Sequence, residues 1–233
     1  MKLLQHVIST GCSSLDKLLE GGFPSDSLSL LYGEAETGKS SLAVQCAVHI
    51  ARIGCKTIFI DSDGTFSPRR LLQIAYYDLE KVSPLITLVK PTTFEEQALA
   101  IDNLDTYLTK KVRLVIVDTI SSLYRVELGD AKKTFTLNRE LHRQVAALAQ
   151  IAKTHKIAAL IISQVRSIFT QTYLTEEPVA TRVLKFWSDI VLNLKHTSRS
   201  RIIKTTLEKH PNRKRPANCY FSIESNGIRD YGH

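Results

Sequence analysis

Short apolar runs recur along the chain, and between them apolar residues return every three or four positions. The runs predict five strands, at Leu28–Tyr32, Thr57–Asp61, Leu114–Asp118, Ala158–Ser163 and Ile190–Leu194. The first four are apolar nearly throughout, as expected of strands that are covered on both faces. The intervening periodicity predicts amphipathic helices at Lys39–Ile53, Ser67–Leu79, Thr93–Lys110 and Leu137–His155.

The order of these elements predicts the fold class. Alternating strands and helices form a mainly parallel sheet with right-handed crossovers. The segments Arg201–Leu207 and Cys219–Glu224 are predicted to close the sheet as an antiparallel pair. No repeat, low-complexity tract or linker divides the chain, so we expect a single α/β domain over residues 1–233. Ligands of such sheets bind beyond the carboxyl ends of the strands.

Composition narrows the class of protein. The chain is 43% hydrophobic and 23% charged, which is ordinary for a globular protein. No apolar run approaches the roughly 18 residues of a membrane helix, and the N-terminus lacks the apolar segment of a signal peptide. The four cysteines form no C-x-x-C pair, which is typical of reduced thiols. We therefore expect a cytoplasmic protein that makes no membrane contact.

Positive charge is concentrated in one segment. Between Lys195 and Arg215 there are eight Lys or Arg residues against one acid, Glu208, so this segment carries nearly all of the chain's net charge of +8. One interpretation is a solvated basic surface, which many proteins have. The other is contact with a polyanion, because Lys and Arg placed on phosphates release counterions.

The first predicted strand leads into a G-x-x-x-x-G-K-[ST] motif. The motif comprises Gly33, Glu34, Ala35, Glu36, Thr37, Gly38, Lys39 and Ser40, and Ser41 follows it. Its glycines let the backbone wrap a phosphate, and the helix N-terminus that follows attracts anions. Lys39 is expected to reach the β and γ phosphates and Ser40 to ligate Mg²⁺. This motif is a P-loop. A strand before it and a helix after it favour ATP and Mg²⁺ binding over a chance match.

Three other strand ends carry polar side chains. Asp118 ends an apolar strand, where it can orient Mg²⁺ or its water, or merely cap the next helix. Asp61 and Asp63 precede a glycine turn, at the end of a strand expected beside the P-loop strand, and suit either a water-activating base or a plain turn. Gln164 can bond a γ-phosphate or simply be a satisfied polar residue. The spacing alone leaves the last two alternatives open.

Together these residues resemble the ATPase core of the RecA/RadA recombinase family. The resemblance runs through Ile8–Gly22, the P-loop, Phe59–Arg70, Leu114–Leu123 and Ile161–Val165. It is strongest to short archaeal members that lack an N-terminal helical domain and carry a Lys-His pair, here Lys209 and His210. The resemblance implies a RecA-like P-loop NTPase core with ATP and Mg²⁺ as cofactors.

The resemblance also implies roles for particular residues. Asp63 stands where the family has a catalytic Glu, and because Asp is one methylene shorter, hydrolysis should be slow. Gln164 matches the family's γ-phosphate sensor, at the head of the second DNA-binding loop. Arg70 matches an Arg that stacks on adenine, although Ser67 and Arg69 depart from the family's pattern.

Three departures from the family pattern bear on function. Only seven residues precede the lead-in, and they contain no Phe-x-x-Ala motif of the kind that links RadA protomers. Gly129-Asp130 puts an acid where the first DNA loop has a basic residue. The second loop, Val165–Arg182, has no Gly pair, and it is either a DNA contact or merely a mobile, polar connection. It contains Phe169 and Tyr173, either of which could stack on a base, but also Glu176 and Glu177, which oppose phosphate approach.

The basic segment gains two candidate roles from the resemblance. Lys209 or Arg213 could reach a neighbouring subunit's γ-phosphate, with His210 beside them. Arg213, Lys214 and Arg215 could instead contact the DNA backbone, and the solvated surface remains an alternative.

These expectations combine into one predicted function. We expect an accessory paralogue in DNA recombination and repair, associated with the nucleoid, that binds DNA and is a weak ATPase. Its expected partners are a RadA-type recombinase or a Holliday-junction nuclease, and whether it forms a homo-oligomer stays open. The alternatives are an active strand-exchange recombinase and a nucleotide-gated adaptor without a catalytic duty.

Overall fold

The computed structural model describes residues 7–169, 174–178 and 180–231, with the backbone alone for residues 166–169, 174–178 and 181. The strands are β1 (Val7–Ile8), β2 (Phe23–Pro24), β3 (Leu28–Gly33), β4 (Lys56–Asp61), β5 (Ile86–Val89), β6 (Val112–Asp118), β7 (Ala158–Phe169), β8 (Leu174–Pro178), β9 (Ile190–His196), β10 (Ile202–Lys209), β11 (Ala217–Glu224) and β12 (Gly227–Asp230). The helices are α1 (Ser13–Leu18), α2 (Lys39–Arg52), α3 (Pro68–Ala75), α4 (Leu79–Val82), α5 (Phe94–Asp102), α6 (Leu104–Tyr107), α7 (Ser122–Glu127), α8 (Ala131–His155) and α9 (Thr181–Trp187).

The main sheet has ten strands in the order β12-β11-β10-β9-β3-β7-β6-β4-β5, with β8 attached to β7. Strands β9 to β5 along this order are parallel, and β10, β11 and β12 continue the sheet in antiparallel fashion. The predicted mainly parallel sheet with a C-terminal antiparallel extension is confirmed. Strands β1 and β2 form a separate two-stranded ladder.

Two apolar layers enclose the sheet. Leu31 and Ile116 face one layer, and their neighbours Leu30 and Val115 face the other. This explains why the central strands are apolar throughout, because each side chain is buried whichever face it points to. The residues predicted for the inner face of α8, Leu141, Val145, Leu148 and Ala152, are buried. Among the described residues, no helix is long and apolar enough to cross a membrane.

Several predicted boundaries and one neighbour relation were wrong. The helix predicted over Ser67–Leu79 divides into α3 and α4, because Tyr76 leaves helical geometry with φ of 18°. The helix predicted over Thr93–Lys110 divides at Asn103 into α5 and α6. Strand β5 was overlooked because its four residues are only partly buried. Strand β4 does not neighbour β3, since β6 and β7 lie between them.

The segment expected to be a polar loop forms a hairpin in large part. Strand β7 continues past Ser163 to Phe169 and pairs antiparallel with β8, from Val165 opposite Pro178 to Phe169 opposite Leu174. The extension Val165-Arg166-Ser167-Ile168-Phe169 contains residues that favour strands. It was not predicted, because the predicted strands followed apolar runs and Arg166 and Ser167 interrupt this one. Tyr173 lies outside the described residues, as do the side chains of Phe169, Glu176 and Glu177.

Gln45 of α2 ties three parts of the chain together inside the core. Its side-chain amide donates to the carbonyls of Thr10 at 2.7 Å and Ile228 at 3.1 Å, and its Oε1 accepts from the Ile228 N–H at 2.7 Å. Gln45 is 2% exposed, so water cannot replace these bonds. The P-loop helix is thereby fixed to both the N-terminal lead-in and β12.

We predict that Gln45→Leu lowers the free energy of unfolding by about 3 kcal/mol, since it preserves volume but leaves buried backbone groups unpaired. Chemical denaturation measures this change, with Gln150→Leu on the exposed face of α8 as the matched control. A loss below about 1 kcal/mol would show that water or a shifted backbone replaces the bonds.

Candidate nucleotide site

The P-loop occupies the turn between β3 and α2, and its shape depends on two glycines. Gly33 approaches β9 so closely that a Cβ would lie 2.0 Å from the Leu194 carbonyl oxygen. Gly38, just before α2, has a left-handed φ of +84°. The loop is also held from the side, where Glu34 accepts the His196 N–H at 3.1 Å. The nine candidate nucleotide-binding residues from Gly33 to Ser41 therefore form one concave turn at the N-terminus of a helix.

Lys39 lies inside the loop with only 8% of its surface exposed. Its ammonium donates to the carbonyls of Gly33, at 2.9 Å, and Glu34, and more weakly to the Thr37 hydroxyl at 3.4 Å. Burial lowers the pKa of Lys39 to about 8, against the opposing effect of Asp118 and Glu34. The loop thus holds a desolvated cation in its centre, which is where a phosphate oxygen can replace the carbonyls as partner.

Asp118 meets Ser40 at the carboxyl end of β6. The Ser40 and Thr119 hydroxyls both bond its carboxylate, the latter at 3.1 Å. Burial raises the pKa of Asp118 to about 6, helped by the negative charges of Asp61 and Asp63. The two predicted metal residues are therefore in contact, and Asp118 does not serve as a cap for α7.

The two acids at the end of β4 have different surroundings. Asp61 accepts the backbone N–H groups of Thr65 at 3.0 Å and Phe66 at 3.1 Å, so its carboxylate holds the turn. Asp63 accepts the hydroxyl of Ser122 and lies 3.5 Å from the Gln164 amide nitrogen. Of the two acids, only Asp63 contacts Gln164, so it is the better candidate for a water-activating base, while Asp61 stabilises the turn.

Gln164 lies within β7 opposite Gly33, where the parallel part of the sheet ends, between an acid and a base. Its Oε1 accepts from Arg125 at 2.8 Å, while its amide nitrogen points to Asp63. Arg125 and Ser122 both belong to α7. They were missed in the sequence, because their spacing gives no sign that their side chains contact Asp63 and Gln164. The contacts make Gln164 a link between the candidate base and the start of the β7–β8 hairpin.

Arg70 connects α3 to the P-loop helix and to the last hairpin of the sheet. Its guanidinium donates to the Ser41 hydroxyl at 3.0 Å and to the carbonyls of Glu224 and Ser225, both at 2.9 Å. Burial lowers the pKa of Arg70, and its Nη2 is buried without a partner among the described residues. Arg70 therefore lies beside the P-loop, with one polar group still to be satisfied.

The residues present fit a magnesium nucleotide. The buried Lys39 ammonium supplies a cation for the phosphates, and the candidate metal donors Ser40 and Asp118 are hard oxygens, which Mg²⁺ prefers. No group of three or more His, Cys, Asp or Glu side chains in the described part of the chain could hold a metal by itself. Mg²⁺ in nucleotide sites takes few protein ligands and is completed by phosphates and water, so two donors suffice.

Comparison with known proteins agrees with this geometry. A family model described as Rad51 matches residues 2–231. The chain belongs to the Rad51 family. The RecA-like fold expected from the sequence is thereby confirmed, and the Rad51-family core contains the P-loop turn and the strand ends described above.

Individual Rad51-family relatives match over nearly the whole chain. A protein of Methanosphaera stadtmanae named DNA repair and recombination protein RadB is 34% identical over 218 residues, 93% of either chain. The protein of the same name from Thermococcus gammatolerans is 35% identical over 227 residues, 96% of this chain and 99% of the relative. A crystal structure of the RadB recombinase superposes with a TM-score of 0.84 at 34% identity, over 97% of this chain and all of that one. The resemblance to short archaeal family members is confirmed.

The basic segment of this Rad51-family chain is only partly free to act. The Lys209 ammonium donates to the carbonyls of Ser188 at 2.6 Å and Lys185 at 3.3 Å, and His210 is buried. Arg213 bonds Glu20 at 3.3 Å. Lys214 and Arg215 are exposed. Of the five residues predicted to contact DNA or a phosphate, Lys209 is the one other exposed residue, and its ammonium holds the segment to the end of α9.

The one acid of this segment is neutralised locally. Glu208 accepts the Tyr32 hydroxyl at 2.6 Å and pairs with the Lys185 ammonium at 2.8 Å. Lys185 belongs to α9, and Tyr32 directly precedes Gly33. In the sequence Glu208 interrupts the run of positive charge. In the structure its carboxylate points inward, to Tyr32 and Lys185.

We predict that Asp118→Asn stabilises the metal-free protein by about 2 kcal/mol at neutral pH. Because the pKa of Asp118 is raised, the folded protein binds the proton more tightly than the unfolded chain does. Stability is therefore lost as pH rises from 3.8 to about 6, and the loss is complete above that range. Denaturation at several pH values with a chelator present measures the difference. A less stable Asn variant at neutral pH would show that the ionised carboxylate is a net stabilising group.

Proposed function

We propose that this protein is an ATP- and DNA-binding accessory paralogue in homologous recombination and repair, acting at the nucleoid. It hydrolyses ATP slowly and regulates a RadA-type recombinase or a Holliday-junction nuclease. The observation that carries the proposal is the convergence of Lys39, Ser40, Asp118, Asp63 and Gln164 at the carboxyl ends of four strands of a Rad51-family sheet. The names of its relatives support the assignment to recombination and repair.

Each of these residues has a defined task in the proposal. Lys39 and the backbone N–H groups of the P-loop hold the phosphates, and Ser40 and Asp118 hold Mg²⁺, which when bound neutralises charge on the transferred phosphoryl group. Asp63 accepts a proton from the attacking water. Gln164 bonds the γ-phosphate and passes its loss to the β7–β8 hairpin. Arg70 packs against the adenine.

Slow hydrolysis follows from the position of Asp63. Its carboxylate already accepts the Ser122 hydroxyl, so one oxygen is occupied by the protein. A shorter acid also holds water farther from the phosphate, and misplacement by about 1 Å can cost about a hundredfold in rate. The site therefore supports tight nucleotide binding with weak turnover.

We predict that Asp63→Glu raises ATP turnover about tenfold, because the added methylene brings the base nearer the phosphate. Asp63→Asn should lower turnover while leaving ATP affinity unchanged, and Lys39→Ala should abolish binding. Phosphate release and nucleotide titration measure the two quantities separately. Equal turnover in the Asp, Glu and Asn forms would remove Asp63 from the mechanism and favour a nucleotide-gated adaptor.

One feature of the sheet supports a protein partner. Strand β5 is the outer edge of the parallel sheet, and beside it lies a mainly apolar groove of about 570 Å³. Leu99 and Tyr107 line this groove while remaining 53% and 66% exposed. An exposed strand edge next to an apolar groove suits an extended peptide that adds a strand. This favours a regulatory role through a partner, whether or not turnover is needed.

The proposal is tested by ATP turnover with and without single-stranded DNA, together with a salt titration of DNA binding. We predict slow turnover that DNA does not raise, and an affinity that falls steeply with salt. Replacing Arg213, Lys214 and Arg215 by Ala should flatten the logarithmic salt slope by about two units, since each lost phosphate contact removes about 0.7. The matched control replaces Lys81, Lys110 and Lys111, which are exposed and lie outside the basic segment. Turnover raised tenfold or more by DNA would instead indicate an active strand-exchange recombinase.

A further inference from the structure

Aromatic side chains form an exposed cluster where α9 packs on α8. The His142 ring stacks with Phe186 at 6.4 Å between centroids and meets Trp187 edge-on at 5.4 Å. The Trp187 indole N–H donates to the His142 Nε2 at 3.2 Å, which fixes both rings. Phe186 is nevertheless 70% exposed. The cluster is thus a held aromatic platform with one face open to solvent.

The platform continues along α8 as a stripe of uniform character. Spacings of three and four residues place one set of side chains on a single face of this helix: Phe135, Arg139, His142, Ala146, Gln150 and Lys153. Phe135 is 65% exposed and lies roughly 10 Å from His142 along the helix axis. Arg139 is exposed between them. An aromatic ring, a guanidinium and a second aromatic group therefore follow one another along the face.

The cations beside the aromatic rings are unpaired. Neither Arg139 of α8 nor Arg182, exposed on α9, has a carboxylate partner among the described residues. Two nearby acids have other partners: Glu140 binds Arg143, and Asp189 accepts the Leu28 N–H and lies 3.9 Å from the Lys153 ammonium at the far end of the stripe. Exposed rings interleaved with unpaired cations are the combination that binds stacked bases and their phosphates.

The face is continuous with the basic segment of the chain. Lys209 bonds the Lys185 and Ser188 carbonyls at the end of α9, on either side of Phe186 and Trp187 in sequence. Lys214 and Arg215 follow a few residues later and are exposed. A nucleic-acid strand on the basic segment can therefore extend onto the aromatic platform without crossing a carboxylate of that segment, since Glu208 points inward.

We propose that this face of α8 and α9 binds single-stranded nucleic acid by stacking unpaired bases on Phe135 and Phe186, with Arg139 and Arg182 on the phosphates. The inference rests on the proposed DNA binding and adds the surface of α8 and α9 on which a strand lies. Paired bases have no free face to stack, so duplex of equal length should bind more weakly. A second copy of the chain is the rival occupant. Self-pairing of this face about a twofold axis would oppose cation to cation.

Trp187 makes the test direct, because it is the single tryptophan of the chain. Oligo(dT) titrated into the full-length protein should quench tryptophan emission, and an equal length of duplex should quench it less. Phe186→Ala should weaken oligo(dT) binding about tenfold with an unchanged salt slope, since a stacking contact carries no counterions. Phe186→Tyr should restore affinity. Arg139→Gln should flatten the slope by about 0.7.

Controls keep the outcomes distinct. Tyr76→Ala removes an aromatic residue that is 80% exposed on another surface, and should change nothing. Unaltered ATP affinity in every variant shows that folding is intact. If oligo(dT) binds but emission stays constant and Phe186→Ala is neutral, while the Arg213, Lys214 and Arg215 variant loses binding, this inference is wrong and DNA binding stands. If the wild type fails to bind oligo(dT) even at low salt, DNA binding itself fails. The face would instead bind a second copy of the chain if two results were obtained together. Tryptophan emission would change with protein concentration and not with oligo(dT), and sedimentation would show a dimer that Phe186→Ala dissociates.

Discussion

The register of the parallel strands is the constraint on which the rest of the structure depends. Gly33 lies opposite Gln164 on one side and Leu194 on the other, and Asp61 lies opposite Asp118. A slip of one residue in any pair would send each side chain to the opposite face of the sheet. Because both faces are filled by apolar layers, such a slip would bury polar groups and expose the core. The packing of the core therefore keeps Gly33, Gln164, Asp61 and Asp118 aligned across the sheet.

Two charged groups of the site are buried. Lys39 and Asp118 are both nearly inaccessible, and burial shifts the pKa of each in the direction that favours its neutral form. Among the described residues neither group forms an ion pair, and each has hydroxyl or carbonyl partners instead. Because burial disfavours both charges, a ligand that brings phosphate charge and a metal can interact strongly with them. Nucleotide binding should accordingly stabilise the protein strongly.

Side-chain contacts lead from the P-loop end of the sheet toward the proposed nucleic-acid face. Tyr32, adjacent to the P-loop, bonds Glu208, which pairs with Lys185 of α9. On the other side, Asp63 contacts Gln164 of β7, the strand that pairs with β8 ahead of the same helix in the chain. The first set of contacts reaches the helix that carries Phe186, and the second reaches the hairpin before it. The arrangement suits a protein in which nucleotide state and partner binding influence each other.

The sequence by itself determined the fold class, the P-loop motif and the acid at the end of the third predicted strand. These features are local, since an apolar run, a glycine turn and an acid at a strand end are each written in consecutive residues. The apolar period also identified the inner face of α8 correctly. Two predicted helices were too long, because the helical pattern of the sequence does not show where the helix ends, at Tyr76 and at Asn103. Strand β5 was missed because a partly buried edge strand has no clear apolar run.

Only the tertiary structure decided which residues meet. It separated Asp61, which holds a turn, from Asp63, which faces Gln164 across strands that are not neighbours. It brought Ser122 and Arg125 to the site, turned Glu208 inward, and placed Trp187 on His142, which is 45 residues away in the chain. Strand order and helix packing set these distances, and both depend on the apolar surface that the whole core buries. No short stretch of sequence determines how that surface is buried.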